Sequence, residues 1–226
     1  MMYNCCILIT THKKELEGND EKSLKQAIKI FGGKRHIKLV IPDNIDESYY
    51  NQYKNVIEII KVENRWMSST KEYNAMFCQN WFWQLFKDYN YVLTYQTDCW
   101  VFDDNLNYFM SLGYDYYGAP WPHHRDMIGN GGFSLRKVSK MLEMTNKYEY
   151  NRDSLLGNED TWFCQTHGNE LNKCDLYTAC NFSMEIVTRH YMRMIIRYPM
   201  GLHGKSIMKL WDDDGKKFMD EKEIFL

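Results

Sequence analysis

The chain has 226 residues, with 28 basic and 30 acidic side chains interleaved to a formal charge of −2. A chain of this size can bury roughly 70% of its unfolded surface, enough for one substantial domain over residues 1–226. No basic block points to nucleic acid as a partner, and no apolar run approaches the ~20 residues of a transmembrane helix.

The seven cysteines contain no CxxC pair, which argues against a zinc ribbon or a dithiol redox site. Cys5 and Cys6 sit inside an apolar run, where a thiol packs as a small hydrophobe. Reduced structural cysteines and an N-terminus without a basic leader predict a cytoplasmic protein. The 17 Tyr, 11 Phe and 7 Trp imply a core of large side chains, or stacking platforms for sugars or bases.

In chain order, "NCCILITTH" reads as a buried strand. "DEKSLKQAIKIF" reads as a helix with Leu24, Ala27, Ile28 and Phe31 on one face. "HIKLVIPDN" and "VIEIIKV" are two further strands. The spacing predicts a long helix over 69–86, entered through Ser/Thr, with Tyr73, Met76, Phe77, Trp81 and Leu85 inward. "YVLTYQTDCWVF" is a strand running into a polar tip; "DYYGAPW" and "GGFSLRK" are strands, and "VSKMLEMTNKY" is a helix. "NEDTWFCQTHG" reads as a helix entered at Asn158, and the stretch from Met192 to Trp211 as a strand, a turn and a basic segment. Residues 211–226 read as a peripheral charged tail. This alternation predicts an α/β fold with a mostly parallel sheet flanked by helices. Ligands of such sheets bind beyond the carboxyl ends of the strands. That rule gathers four tips: Thr10 to His12, Asp43, Gln96 to Asp98, and the glycines of 129–132.

Asp98 at a strand tip is suited to a hard divalent cation that grips a diphosphate, although a lone Asp there more often caps a turn. Gly129, Asn130, Gly131 and Gly132 let backbone approach a ligand and permit positive φ, or simply form a tight turn. No Gly-Lys-Ser/Thr makes this a P-loop, and a strand rather than a helix follows it. Glu159 and Asp160 stand where a helix macrodipole alone favours acids. One of them could equally be a general base, and the sequence leaves open which faces a cleft. His203 could ligate a metal, with Lys205 or Lys209 near a phosphate. His123 and His124 look like an exposed loop with no third ligand at a telling spacing.

Taken together, "YQTDCW" (95–100), "DYYGAPW" (115–121), "GNGGFSLR" (129–136), "NEDTWF" (158–163) and "GLH" (201–203) have a recognisable order. The chain resembles glycosyltransferases of the GT-A fold, with a Rossmann-like sheet. More closely it is similar to a family of uncharacterised glycosyltransferase-like domains marked by QTD-W, GAPW, GNGGFSLR and NED motifs, over roughly residues 3–211. The resemblance implies a UDP- or GDP-linked sugar donor, a glycan or glycoconjugate acceptor, and Mn²⁺ or Mg²⁺. The metal would fall on Asp98 and His203; Gln96 replaces the first acid of a DxD motif. Nucleotide contacts would fall on Thr10, Thr11, Lys71, Tyr73 and Asn74, and phosphate on Lys205. Sugar contacts would fall on Gln96, Asn130, Gly131 and Gly132. Asp160, beside Glu159, would be the catalytic base of an inverting displacement.

Two other readings compete. A sugar-1-phosphate nucleotidyltransferase needs a glycine-rich basic loop after the first strand, and "TTHKKELEG" lacks it. A catalytically degenerate domain that binds carbohydrate or nucleotide sugar is the reading that Gln96 keeps open.

Overall fold

The computed structural model describes residues 4–121, 128–152 and 157–225. The chain opens as β1 (Cys5–Thr10), α1 (Gly18–Phe31), β2 (His36–Pro42) and β3 (Ile57–Val62). Every residue of β1 is buried, as a strand covered on both faces requires. On α1, Leu24, Ala27 and Phe31 are fully buried, as the periodicity predicts.

The predicted 69–86 helix is two helices, α2 (Thr70–Phe77) and α3 (Asn80–Gln84). Ser69 caps the first, its Oγ accepting from Glu72 N at 3.2 Å. Gln79 then turns extended, and Trp83 Nε1 donates to the Phe77 carbonyl at 2.6 Å. That bond satisfies an acceptor at the helix end. The break turns Phe82 and Trp83 into the core and leaves Trp81 and Leu85 37% and 36% exposed, against the predicted inward face.

Next come β4 (Tyr91–Gln96), β5 (Cys99–Val101), α4 (Leu106–Ser111), β6 (Tyr116–Tyr117), β7 (Phe133–Lys137) and α5 (Val138–Lys147). The central sheet has the order β3-β2-β1-β4-β7-β6. Its first four strands are parallel; β7 runs antiparallel to β4, and β6 to β7. Alternate β1 residues feed two cores. Ile7 and Ile9 pack on the α1 side, and Cys6 and Leu8 pack with Phe77, Trp83 and Met141 on the other. The fold is α/β of the GT-A type, a mostly parallel sheet flanked by helices.

The predicted helix over 158–168 is only partly α. Helix α6 (Glu159–Thr161) passes into a π turn over Trp162–Thr166, closed by His167 N–H to the Trp162 carbonyl at 3.2 Å. Helix α7 (Leu176–Phe182), β8 (Ser183–Met184), α8 (Arg189–Met192), β9 (Gly201–His203) and α9 (Lys216–Phe225) complete the chain. Strands β5, β9 and β8 form a second, three-stranded sheet.

The strand predicted from Met192 is confined to β9. The residues before it are held as a loop by Asn181, whose amide donates to Met194 O at 2.9 Å and accepts from Ile196 N at 3.0 Å. The charged tail is anchored to the rest of the fold. Trp211 stacks on Trp100 at 5.2 Å, Phe218 is fully buried, and Lys222 Nζ donates to Ile195 O at 2.6 Å. All seven cysteines are buried and free.

Candidate active site

The site forms where the two sheets part. Strand β4 ends at Gln96, the chain turns through Thr97 and Asp98, and β5 departs into the small sheet. Strand β7 pairs antiparallel to β4 with Phe133 opposite Tyr95, so its preceding glycine loop lies at β4's carboxyl end. A cavity of about 540 Å³ opens there, within the size range of small-molecule sites. Thr10, Thr11, Tyr73, Gln96, Asp98 and Lys205 line it, all singled out in the sequence. His12, Lys13, Ser68, Ser69, Thr70 and Thr97 join them, so hydroxyls and cations dominate the wall.

Tyr73 ties the floor together. Its hydroxyl lies 3.0 Å from Thr10 Oγ1 and accepts from Gln96 Nε2 at 3.1 Å. Burial pushes the phenol up to about 12, so it remains a neutral hydroxyl. Gln96 Oε1 meets His203 Nε2 at 3.1 Å, so Gln96 bridges Tyr73 and the histidine. Lys71 is exposed and Asn74 is buried, and neither lines the cavity. The Asn74 amide instead donates to Asn158 Oδ1 at 3.2 Å and accepts from Glu159 N at 3.4 Å, fixing the start of α6. Asp43, the fourth strand tip, accepts from Asn64 N at 3.0 Å and serves its own loop.

The small sheet supplies the other half. Pairing of Cys99 with His203 places the imidazole beside Asp98, Nε2 to Oδ1 at 3.5 Å. Burial pushes the Asp98 carboxyl up, but His203 and, more weakly, Lys205 bring it below the usual carboxylate range. For His203, burial pulls the imidazole down; Asp98 and Glu185 outweigh it and lift it to about 9.

The glycines serve the protein's own packing first. None of Gly129, Gly131 and Gly132 has positive φ, contrary to one reason the sequence offers for them. A Cβ on Gly132 would strike the His203 ring, and one on Gly131 would strike Glu159 and Arg136. Only glycine lets those side chains reach the loop.

The two adjacent acids have separate surroundings. Glu159 forms a bidentate pair with Arg136, Nη1 to Oε2 at 2.7 Å and Nη2 to Oε1 at 2.8 Å, with both residues buried. The guanidinium also sits 5.1–5.8 Å from the ring centroids of Phe77, Trp83, Tyr116 and Phe163. Asp160 is less buried and accepts from Gly131 N at 3.1 Å. Burial, then the Glu159 charge, pushes Asp160 up to about 6, against the pull of Arg136 and of the Thr161 and Gly131 N–H groups. A carboxylate with that pKa, tied to a glycine loop, is suited to proton transfer near neutrality.

Arg136 was visible only as the end of "GNGGFSLR", and Glu185 stands in "SMEIV" with no local signal at all. Both become legible only through long-range contacts. His123 and His124 lie outside the described residues.

Among the described residues, Asp98, Cys99 and His203 bring possible metal-ligand atoms within 4.8 Å of one another. The Cys99 thiol is fully buried, points to the Gly132 carbonyl at 3.2 Å and is pushed well up by burial and then by Asp98. It stays a thiol and is a poor ligand. One carboxylate and one imidazole beside a polar cavity fit Mg²⁺ or Mn²⁺, which complete their shells with water and phosphate oxygens.

The fold has solved counterparts. Mouse xyloside xylosyltransferase 1 superposes with a TM-score of 0.57 at 11% identity, covering 90% of this chain and 97% of that one. The glycosyltransferase GlyE of Streptococcus pneumoniae TIGR4 gives 0.56 at 13%, covering 92% of this chain and 56% of that one. TarS 1–349 of S. aureus, in complex with UDP-GlcNAc, gives 0.50 at 12%, covering 76% and 55%. The chain thus spans nearly all of the mouse enzyme's chain and little more than half of the bacterial ones. No curated protein matches it in sequence. No described helix is long and apolar enough to cross a membrane. A family model matches residues 56–203, well over half of the chain, which therefore belongs to the family described as "Protein of unknown function (DUF5672)".

Proposed function

We propose that the chain is a glycosyltransferase that moves a sugar from a nucleotide diphosphate donor to a hydroxyl of a glycan or glycoconjugate. One observation carries the reading. Asp98 stands at a hydroxyl-lined cavity with His203 buried 3.5 Å behind it, and Asp160, its pKa raised to about 6, is held by the adjoining glycine loop. The neighbouring folds support it: two are named as transferases, and the third was solved with UDP-GlcNAc.

In this reading the donor lies along Thr10, Thr11 and Tyr73, with its diphosphate toward Asp98 and Lys205. Asp98 and His203 would hold Mn²⁺ or Mg²⁺. Bound there, the cation would offset charge developing on the departing diphosphate. Asp160 accepts the proton of the acceptor hydroxyl. The freed oxygen bonds to the anomeric carbon as the carbon–oxygen bond to the diphosphate breaks, and Lys205 helps carry the leaving charge. A single displacement inverts the anomeric centre. Gln96 borders the sugar, the buried Asn130, Gly131 and Gly132 shape the loop beside it, and Glu159 keeps Asp160 in place rather than taking a proton.

A thermal-shift panel of nucleotide sugars with and without Mn²⁺ tests this, since a ligand that binds only the native state raises its melting point. A metal-dependent shift with one donor, abolished in Asp98→Ala, is expected. Transfer then shows the inverted anomer by NMR. Binding with neither transfer nor donor hydrolysis would instead favour a degenerate binding domain. A shift with no donor would overturn the reading.

A further inference from the structure

Two groups far apart in sequence meet on one carboxylate, that of Glu185. Glu185 follows β8, His203 ends β9, and Asn130 lies in the glycine loop. Glu185 Oε2 accepts from Asn130 Nδ2 at 2.8 Å, and its Oε1 lies 3.4 Å from His203 Nδ1. That nitrogen is buried without a well-formed hydrogen bond, so Glu185 is the acceptor within reach. The ring's other nitrogen, Nε2, faces Asp98 and Gln96. Gly132 packs on the ring so tightly that a Cβ would strike it, and Gly204, at φ +100, turns the chain just after it. Asn130 Oδ1 in turn accepts from Gly132 N at 3.2 Å, which closes the loop on itself.

We infer that Glu185 is a positioning residue that sets two elements at once. It holds His203 through Nδ1, so that Nε2 is presented beside Asp98 to a divalent cation, and it holds the glycine loop through Asn130. The inference rests on the cation reading above. A metal-ligating histidine commonly gives its other N–H to a carboxylate, and losing that partner typically weakens the metal ten- to hundredfold. Here the same carboxylate spans to the loop that carries Asp160 through Gly131, so cation and loop share an anchor.

The test is Mn²⁺ affinity of the full chain, read by the EPR signal of free Mn²⁺, with a melting curve for each variant. Glu185→Gln keeps the size but removes the charge, and is expected to weaken Mn²⁺ about ten- to hundredfold with the fold retained. Glu185→Asp keeps the charge on a shorter arm and should fall between; it carries the test if the Gln variant does not fold. Asp98→Ala should remove binding. Affinity of the Glu185 variants within twofold of wild type, with Asp98→Ala inactive in binding, overturns the role of Glu185 alone. Mn²⁺ binding that ignores Asp98→Ala, or none in wild type, overturns the cation reading and this inference with it.

Discussion

The cavity wall and the glycine loop beside it, the second wall of the site, are built by opposite means. Between the tips of β1 and β4, Tyr73 joins Thr10 and Gln96 by hydrogen bonds of 3.0–3.1 Å, a neutral patch in a wall that also carries His12, Lys13 and Asp98. The glycine loop, buried beside the cavity, rests on a charged pair, Arg136 with Glu159, among four aromatic rings. Neutral short side chains cost little to desolvate, so a change there should be read in ligand binding. A buried charge is tolerated only while paired, so a change there should be read in folding as well as chemistry.

Asp160→Asn tests the charged wall at its outer end and carries the largest effect. Loss of a general base typically lowers the transfer rate by ~10²–10⁴. Stability should move the other way. The folded pKa of Asp160 lies near 6, above the usual carboxylate value, so its contribution is favourable in acid and is lost as pH rises through 6. The Asn variant should therefore gain relative to wild type between pH 4 and 8, by about 1–2 kcal/mol after allowance for partial exposure. Urea melts at the two pH values check the sign; an Asn variant that keeps full transfer rate would remove Asp160 from the mechanism.

Arg136→Met tests the same wall at its root. It strands Glu159 in the core and should cost ~3–5 kcal/mol in denaturant melts. The paired change Arg136→Met with Glu159→Gln should recover much of that loss, because no unpaired charge remains. If the single and double variants melt alike, the pair is not what supports this wall.

The pH dependence of the wild type separates the walls without mutation. Thr10, Thr11, Tyr73 and Gln96 carry no carboxylate, whereas Asp160 must be ionised to accept a proton. The acid limb of kcat/KM should bend near 6 and fall about tenfold per pH unit below it.

These contrasts mark what a sequence can carry. Runs such as "CCILIT" and the stripe Leu24, Ala27 and Phe31 declare strand and helix because burial is periodic along the chain. The break after Phe77 was hidden, because it depends on where the Trp83 indole finds a carbonyl. The tips Thr10, Gln96 and Asp98 follow from the rule for parallel sheets, whereas His203 stood out as an imidazole at a strand end and nothing in the sequence placed it beside Asp98. Glu185 had no signal, because a carboxylate's role here is set by a sheet formed of short segments far apart in sequence. The acids Glu159 and Asp160 were visible as a pair, while their separate surroundings were not, since those depend on Arg136 arriving from β7.

The smallest effect should come from the neutral wall. Tyr73→Phe removes the hydroxyl that Thr10 and Gln96 share but keeps the ring packed on Phe77 at 4.9 Å. A neutral hydrogen bond is worth about 1 kcal/mol net, and the partners left behind line a wet cavity rather than a sealed core. Stability should fall by no more than about 1 kcal/mol, and the donor KM should rise roughly fivefold with kcat nearly unchanged. A large loss of kcat in this variant would mean that Gln96, released from Tyr73, no longer holds His203, and the two walls would then be mechanically one.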